Sequence, residues 1–176
     1  MSGTPASPRF EFRPLSAADL PRLHEWVQRP HVAQWWENPR SLNGIRQEYL
    51  PVVQGTESTR AYVAYEAAQP VGFIQSYVVV DAGDGWWPEE TDPGARGIDQ
   101  FLLDEHRLGQ GLGTAMIRAF LDRLFEDPQV TAVQTDPAPH NARAVRCYEK
   151  AGFRRVGIVP TPDGPAFLMR CVRNSM

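Results

Sequence analysis

The sequence has little cysteine, and its two cysteines, Cys147 and Cys171, are too few for the disulfide framework of a small secreted protein. We therefore expect free thiols in a reducing cytosol, and a cytoplasmic protein. Histidine is also sparse, and none lies at metal-ligand spacing from a cysteine, so no metal site is expected. Surface or loop positions are predicted for all four histidines: His24, His31, His106 and His140.

Long apolar runs and an excess of positive charge are missing as well. The sequence has no run of about 18 apolar residues, so we expect no membrane span. Residues Met1 to Arg9 are polar and contain prolines rather than the apolar segment of a signal peptide, and residues 1–9 are predicted to be a disordered tail. A net charge of −3 disfavours nucleic acid as a partner and favours cations.

The composition that remains is that of an ordinary globular protein. In 176 residues, 42% are hydrophobic and 22% are charged, without internal repeats or a linker. We therefore expect one domain over residues 10–176, as a monomer or dimer.

Hydrophobic periodicity predicts an α/β order of elements. A strand over Phe10–Leu15 precedes a helix that opens with a capping box at Ser16 and ends before Pro30, and Ser41 caps a second helix that Pro51 disturbs near its end. The other predicted elements are strands at Arg60–Glu66 and Val71–Val80 joined by a turn at Ala67–Pro70, a strand at Gly97–Leu103, a helix to about Glu126, a strand at Val130–Thr135, a short helix after Asn141, a strand at Phe153–Val159, a turn at Thr161–Pro165 and a last strand to Cys171.

Three glycines lie between the strand at Gly97–Leu103 and the helix that follows it. Gly109, Gly111 and Gly113 alternate with other residues, so side chains are missing where an anion could approach the backbone. Successive N–H groups in such a loop, together with the start of a helix, can hold a pyrophosphate. No lysine follows Gly113, so the loop is not a Walker motif, and it does not open a βαβ unit as a dinucleotide motif would.

A second motif spans Asn141 to Phe153 and has the pattern Asn-x-x-Ala-x-x-x-Tyr-x-x-x-Gly-Phe. Asn141 can cap a short helix that buries Tyr148 and ends at Gly152. With the glycine loop, this segment resembles the GNAT superfamily of N-acetyltransferases. Further segments resemble the aminoglycoside 6′-N-acetyltransferases: Trp35–Trp36, Gly83–Trp87, Glu89–Gly94, Arg96–Gln100, Gln134–Pro137 and Thr161–Pro165. The similarity runs from about Phe12 to Met169, with the largest departure over Glu37–Gly44.

The resemblance implies a fold and a cosubstrate. The fold is α/β (α+β), with a central, mixed, mostly antiparallel twisted sheet flanked by helices and a V-shaped opening between its two central parallel strands. The cosubstrate is acetyl-CoA, with Tyr148 as the acid that protonates the leaving thiolate. The resemblance places the other cosubstrate contacts at Phe101, Leu102, Leu103, Leu108, Gly109, Gln110, Gly111, Leu112, Gly113, Thr114 and Asn141.

The acceptor is expected on an acidic, aromatic side. Residues Asp81 to Asp92 include five acids and two tryptophans but no Lys or Arg, a pattern that by itself also fits a solvated loop. By resemblance, strand ends bring further carboxylates to the same cleft, where they would bind a small polycationic amine, with Asp99 as the base. The expected acceptor residues are Trp35, Trp36, Asp84, Trp86, Trp87, Asp99, Asp136 and Asp163.

Two alternatives remain open at this point. The enzyme could acetylate a different amine or a hydroxylamine, such as a siderophore precursor. The protein could also be a non-catalytic CoA-binding or aminoglycoside-sequestering protein.

Overall fold

The computed structural model describes residues 8–37 and 41–173. The predicted tail therefore lies outside the described residues except for Pro8 and Arg9, and so does the part of the divergent loop at positions 38–40. The helices are α1 (Leu20–Val27), α2 (Pro30–Ala33), α3 (Leu42–Gln54), α4 (Leu112–Phe125) and α5 (Ala142–Ala151), with 3-10 turns at Ala17–Asp19, Val79–Asp81 and Glu105–Arg107. The strands are β1 (Phe10–Pro14), β2 (Arg60–Glu66), β3 (Gln69–Val78), β4 (Ala95–Leu102), β5 (Ala132–Thr135), β6 (Arg154–Thr161) and β7 (Gly164–Val172).

These seven strands form one sheet in the order β1-β2-β3-β4-β5-β7-β6. Only β4 and β5 run parallel, and their pairing covers three positions, from Ala95 opposite Ala132 to Gly97 opposite Gln134. Beyond Gly97, β4 continues for five residues along β3 without β5 beside it. The sheet therefore opens at its centre, and the mixed, mostly antiparallel fold predicted from the motifs is confirmed.

Helices cover both faces of the sheet because inward side chains alternate along the strands. On one face, Phe73 of β3 and Phe101 of β4 pack with α1 and α3. On the other, Ile98 packs with Phe120 of α4 and Val145 of α5. The central strands are buried on both faces, and the opening between them leads into the interior.

The predicted caps are present, while several boundaries differ from the prediction. Ser16 and Asp19 form the capping box, although its first turn is 3-10, and the Ser41 hydroxyl accepts the Gly44 N–H at 3.0 Å. The prediction missed α2, which starts at Pro30 because proline suits the first helical position. α3 continues through Pro51 to Gln54, since Tyr49 and Val52 bury its inner face on the core.

Candidate active site

A cavity of about 1900 Å³ occupies the opening between β4 and β5. Its wall includes the glycine loop and α5 on one side and the acidic loop with α2 and α3 on the other. Nearly all of the residues that the sequence assigned to the two ligands line this one cavity. Three do not: Leu103 and Leu112, whose side chains are buried in the core, and Gln110, which is exposed.

The glycine loop has the conformation that only glycine adopts easily. Gly109 has φ +71° and Gly111 has φ +85°, and a Cβ added at either position would have no neighbouring atom within 4 Å. The loop is held from outside, because Gln110 Nε2 donates to the His106 carbonyl at 2.7 Å and Asp104 caps the preceding turn. The backbone is therefore exposed to the cavity immediately before α4 begins at Leu112, as a phosphate cradle requires.

Gly113 differs from the other two glycines of the loop. It lies inside α4 without a positive φ, and an added Cβ would make ordinary van der Waals contacts, 3.4 Å from Cys147 Sγ and 3.7 Å from Leu102 Cδ1. Gly113 lines the cavity, but neither its conformation nor its packing requires glycine. Thr114 Oγ1 also contacts Cys147 Sγ, at 3.4 Å.

Helix α5 presents Tyr148 to the side of the cavity that the glycine loop borders. Asn141 caps the helix by accepting the Ala144 N–H at 3.2 Å, and Tyr148, only 4% exposed, packs against Phe153. Burial raises the pKa of Tyr148 well above its ordinary value, so its hydroxyl remains protonated at neutral pH. The Tyr148 hydroxyl lies 3.5 Å from Gln100 Nε2, a residue that sequence reasoning had missed.

The same helix lines the cavity with positive charge. Arg143, Arg146 and Lys150 follow one another at intervals of three and four residues, so they share one face of α5, and all three border the cavity. Their side of the cavity is also the side of the glycine loop. Two sources of anion affinity, backbone N–H groups and cations, thus meet there.

Carboxylates converge on the opposite side. Asp99 of β4 accepts a hydrogen bond from Gln75 Nε2 at 3.0 Å, and burial raises the pKa of Asp99. Burial also raises the pKa of Asp136 to about 8, with additional contributions from the negative charges of Asp99 and Asp163. The three acids, which come from β4, the end of β5 and the β6–β7 turn, therefore influence one another across one cleft.

The acidic loop divides into anchors and cavity-lining residues. Glu90 binds Arg170 at 3.0 Å and Asp92 accepts the Thr131 hydroxyl at 2.5 Å, so these two acids fasten the loop to the sheet. Asp81 and Asp84 line the cavity. The charge run therefore supplies fewer ligand-facing acids than its composition indicated.

The tryptophan pair is held over the cavity by a residue that the sequence did not single out. Trp87 Nε1 donates to the Tyr77 hydroxyl at 3.1 Å, and the Trp86 and Trp87 rings are tilted against each other at 46°, with centroids 5.7 Å apart. Tyr77 lies so close to Gly97 that a Cβ there would overlap its ring. Trp87, like Asp84, has a positive φ of 50°, an uncommon conformation that is typical of functional loops.

Trp35 and Trp36 complete the side of the cavity that the acidic loop borders. The Trp35 and His140 rings are tilted against each other at 49°, with centroids 5.0 Å apart, and the buried Nε1 of Trp35 has no hydrogen-bond partner among the described residues. Trp36 packs edge-on against Phe101 and Phe73 and joins the cavity wall to the core. His140 is in a loop, as predicted. His31 was predicted at a surface or loop position, but it lies in α2 and lines the cavity.

Successive side chains of β4 point to opposite sides of the strand, so Asp99 and Gln100 contact different groups. Asp99 faces Gln75 on the acidic side, while Gln100, the next residue, faces Tyr148. A carboxylate whose pKa is raised can accept a proton near neutral pH, and a buried phenol can donate one. The site can therefore deprotonate a nucleophile on one side and protonate a leaving group on the other.

Among the described residues, no group of three or more His, Cys, Asp or Glu side chains could hold a metal ion.

Comparison with known proteins identifies the family. Residues 16–161 match the GNAT acetyltransferase domain, so the chain belongs to the GNAT family of acetyltransferases. It is similar to the aminoglycoside N(6′)-acetyltransferase type 1 of Klebsiella pneumoniae, with 52% identity over 160 residues that cover 89% of this chain and 80% of the relative. A kanamycin resistance protein of Rhizobium radiobacter is 64% identical over 84 residues, 48% of this chain and 78% of that protein.

Solved structures agree with this assignment. The chain resembles the aminoglycoside acetyltransferase AAC(6′)-Ib in complex with coenzyme A and kanamycin, with a TM-score of 0.90 and 51% identity over 94% of this chain and 96% of that one. The family predicted from the two sequence motifs is thereby confirmed. In the described part of the chain, no helix is both long and apolar enough to span a membrane.

Proposed function

We propose that this protein is an acetyl-CoA-dependent N-acetyltransferase that acetylates the 6′-amine of aminoglycoside antibiotics by direct transfer and so confers resistance to them. The observation that carries the proposal is the single cavity with an anion cradle at one end and converging carboxylates at the other. The similarity to aminoglycoside N(6′)-acetyltransferase type 1 supports the choice of acceptor. The cosubstrate and the two free thiols fit a cytoplasmic location.

The residues of the cosubstrate side fit coenzyme A. The N–H groups of the Leu108–Thr114 loop would hold its pyrophosphate, because Gly109 and Gly111 leave the space above the backbone open. Arg143, Arg146 and Lys150 would meet the remaining phosphate. When bound, acetyl-CoA supplies the acetyl group as a thioester.

The acceptor side fits a polyamine sugar. Asp84, Asp136 and Asp163 would bind its ammonium groups, while Trp86 and Trp87 offer flat faces for sugar rings. Bound cations would lower the pKa of Asp136 from about 8 and favour its ionised form. The neutral carboxyl of the free site is therefore compatible with strong binding of a cation.

Two proton transfers at named atoms complete the account. An ammonium group cannot attack a thioester until it loses a proton, and the Asp99 carboxylate accepts that proton directly or through water. The raised pKa of Asp99 makes it a better base than an exposed aspartate. Tyr148, kept protonated by burial, gives its hydroxyl proton to the departing sulfur.

Product analysis tests the proposal. The purified protein, acetyl-CoA and kanamycin should yield kanamycin heavier by one acetyl group, with free thiol released in equal amount, and NMR should locate the new amide at the 6′ position. Acetylation at another amine would contradict the regiochemistry. Binding without thiol release would favour sequestration, and turnover only with hydroxylamines or metabolic polyamines would favour the alternative acceptors.

A further inference from the structure

Two side chains at the start of α2, Arg29 just before the helix and His31 within it, reach the end of β4. His31 Nε2 lies 2.8 Å from the carbonyl oxygen of Leu102, and Arg29 Nη1 donates to the carbonyl oxygen of Leu103. A carbonyl oxygen can only accept, so the first bond requires a hydrogen on His31 Nε2. The end of this strand is thus held by side chains at two successive carbonyls.

The orientation of the β4 backbone explains why the contact between His31 and the Leu102 carbonyl matters. The Leu103 N–H donates to the Val71 carbonyl at 3.0 Å, so it faces β3. Backbone groups alternate along a strand, which turns the N–H and C=O of Leu102 to the opposite edge. That edge borders the opening, because β4 pairs with β5 only over residues 95–97.

His31 therefore supplies a hydrogen bond to the edge of β4 at a place where no paired strand supplies one. Past Gly97, no ladder with β5 fixes the orientation of the β4 peptides on this edge. The His31 bond occupies the Leu102 carbonyl and restrains the strand end, which leaves the Leu102 N–H directed into the cavity that Leu102 lines. A preorganised N–H at this place can stabilise negative charge that develops on a carbonyl oxygen.

We infer that His31, supported by Arg29, is a positioning residue that aims the Leu102 N–H at the thioester carbonyl of the cosubstrate. The inference rests on the proposed function, since it assumes that a thioester lies along β4. It also links the two sides of the site, because His31 lies on α2, which leads directly to Trp35 and Trp36 of the acceptor side.

Three variants test this role. His31→Leu removes the donor with little loss of volume, His31→Gln keeps an N–H that can reach the carbonyl, and His106→Leu is the matched control at a side chain that is 86% exposed. Complete loss of an oxyanion donor lowers kcat by about 10²–10³-fold, so misalignment of one should lower it by roughly tenfold in His31→Leu. The KM values for both substrates should change little, and both His31→Gln and His106→Leu should stay near the wild-type rate.

Infrared spectroscopy provides a measurement that needs no acceptor. With acetyl-CoA labelled by ¹³C at the thioester carbonyl, the bound carbonyl band should lie at lower frequency in the wild type and His31→Gln than in His31→Leu. Equal bands and equal kcat in the wild type and His31→Leu would overturn the inference, even if His31→Leu melts at a lower temperature. Loss of activity in His31→Gln as severe as in His31→Leu would also overturn it. If the wild type acetylates no aminoglycoside, the proposed function fails, and the infrared comparison still decides the role of His31.

Discussion

The two sides of the cavity are formed by different parts of the chain: one largely by backbone, the other by side chains. The cosubstrate side consists of one loop, Leu108–Thr114, one helix, α5, and the unpaired edge of β4, and much of it is backbone. The acceptor side consists of side chains from β3, β4, α2, α3 and several connecting segments, with no continuous segment that contains them all. One side can therefore recognise a constant phosphate group through the main chain, while the other can change its specificity through single side chains.

Tyr148 is where the two sides must cooperate, and its removal should have the largest effect. Tyr148→Phe should lower kcat by about 10²–10⁴-fold, the range expected for loss of a general acid, because the ring volume remains and the proton donor does not. Calorimetry should give an unchanged affinity for coenzyme A. An unaltered kcat when chemistry limits turnover would contradict the assignment.

The cosubstrate side should depend on backbone conformation. Gly111→Ala places a side chain at φ +85°, where the left-handed conformation costs roughly 1–2 kcal/mol. The free loop can relieve this strain by leaving the conformation, and binding must restore it, so acetyl-CoA should bind about 5–30-fold more weakly. Gly55→Ala is the matched control, since Gly55 has φ +71° and equally open surroundings but caps α3 outside the cavity. Gly55→Ala should leave the cosubstrate affinity unchanged, and equal affinity in the two variants would show that the loop is only a turn.

The sequence predicted the local structure of the glycine loop and of the Tyr148 helix well because the signals for that structure are local. The cap at Asn141, the burial of Tyr148 and the glycine loop each depend on neighbours a few residues away. Tyr77 and Gln75 were missed because their roles come from contacts with Trp87 and Asp99, which no spacing records. His31 was predicted at a surface or loop position for the same reason, since Leu102 is 71 residues distant in sequence. Asp99, Asp136 and Asp163 could nevertheless be named together, because the sequence resembles a family in which the ends of these strands meet at one cleft.

Without a bound ligand, the buried carboxylates of the acceptor side should lower the free energy of unfolding. The pKa of Asp136 is about 8 in the folded protein and ordinary in the unfolded chain, so between about pH 4 and 8 only the folded form holds this proton. Stability contributed by that proton is therefore lost as pH rises through this window. Asp136→Asn should raise the melting temperature at pH 8 by about 2–4 °C, the shift expected from ~1 kcal/mol, and by less near pH 4.

Differential scanning calorimetry over this pH range measures the effect. Asp122→Asn, at an exposed position on α4 outside the cavity, is the control and should show no such trend. A lower melting temperature for Asp136→Asn at pH 8 would mean that the carboxylate is stabilised in the free protein.

The smallest effect is expected at the cationic face of α5. Exposed ion pairs contribute about 0.2–1 kcal/mol, so acetyl-CoA that lacks its 3′-phosphate should bind at most about fivefold more weakly than acetyl-CoA. Arg146→Gln should reduce this ratio towards one. A ratio that does not change in Arg146→Gln would remove Arg146 from the phosphate site.

The most direct test of the division between the two sides is the pair of KM values of Asp136→Asn. Loss of a charge-assisted bond of roughly 1.5–3 kcal/mol should raise the KM for kanamycin by about 10- to 150-fold, while the KM for acetyl-CoA stays close to that of the wild type. An equal rise in both KM values, or no rise for kanamycin, would contradict an acceptor side that recognises its substrate through carboxylates.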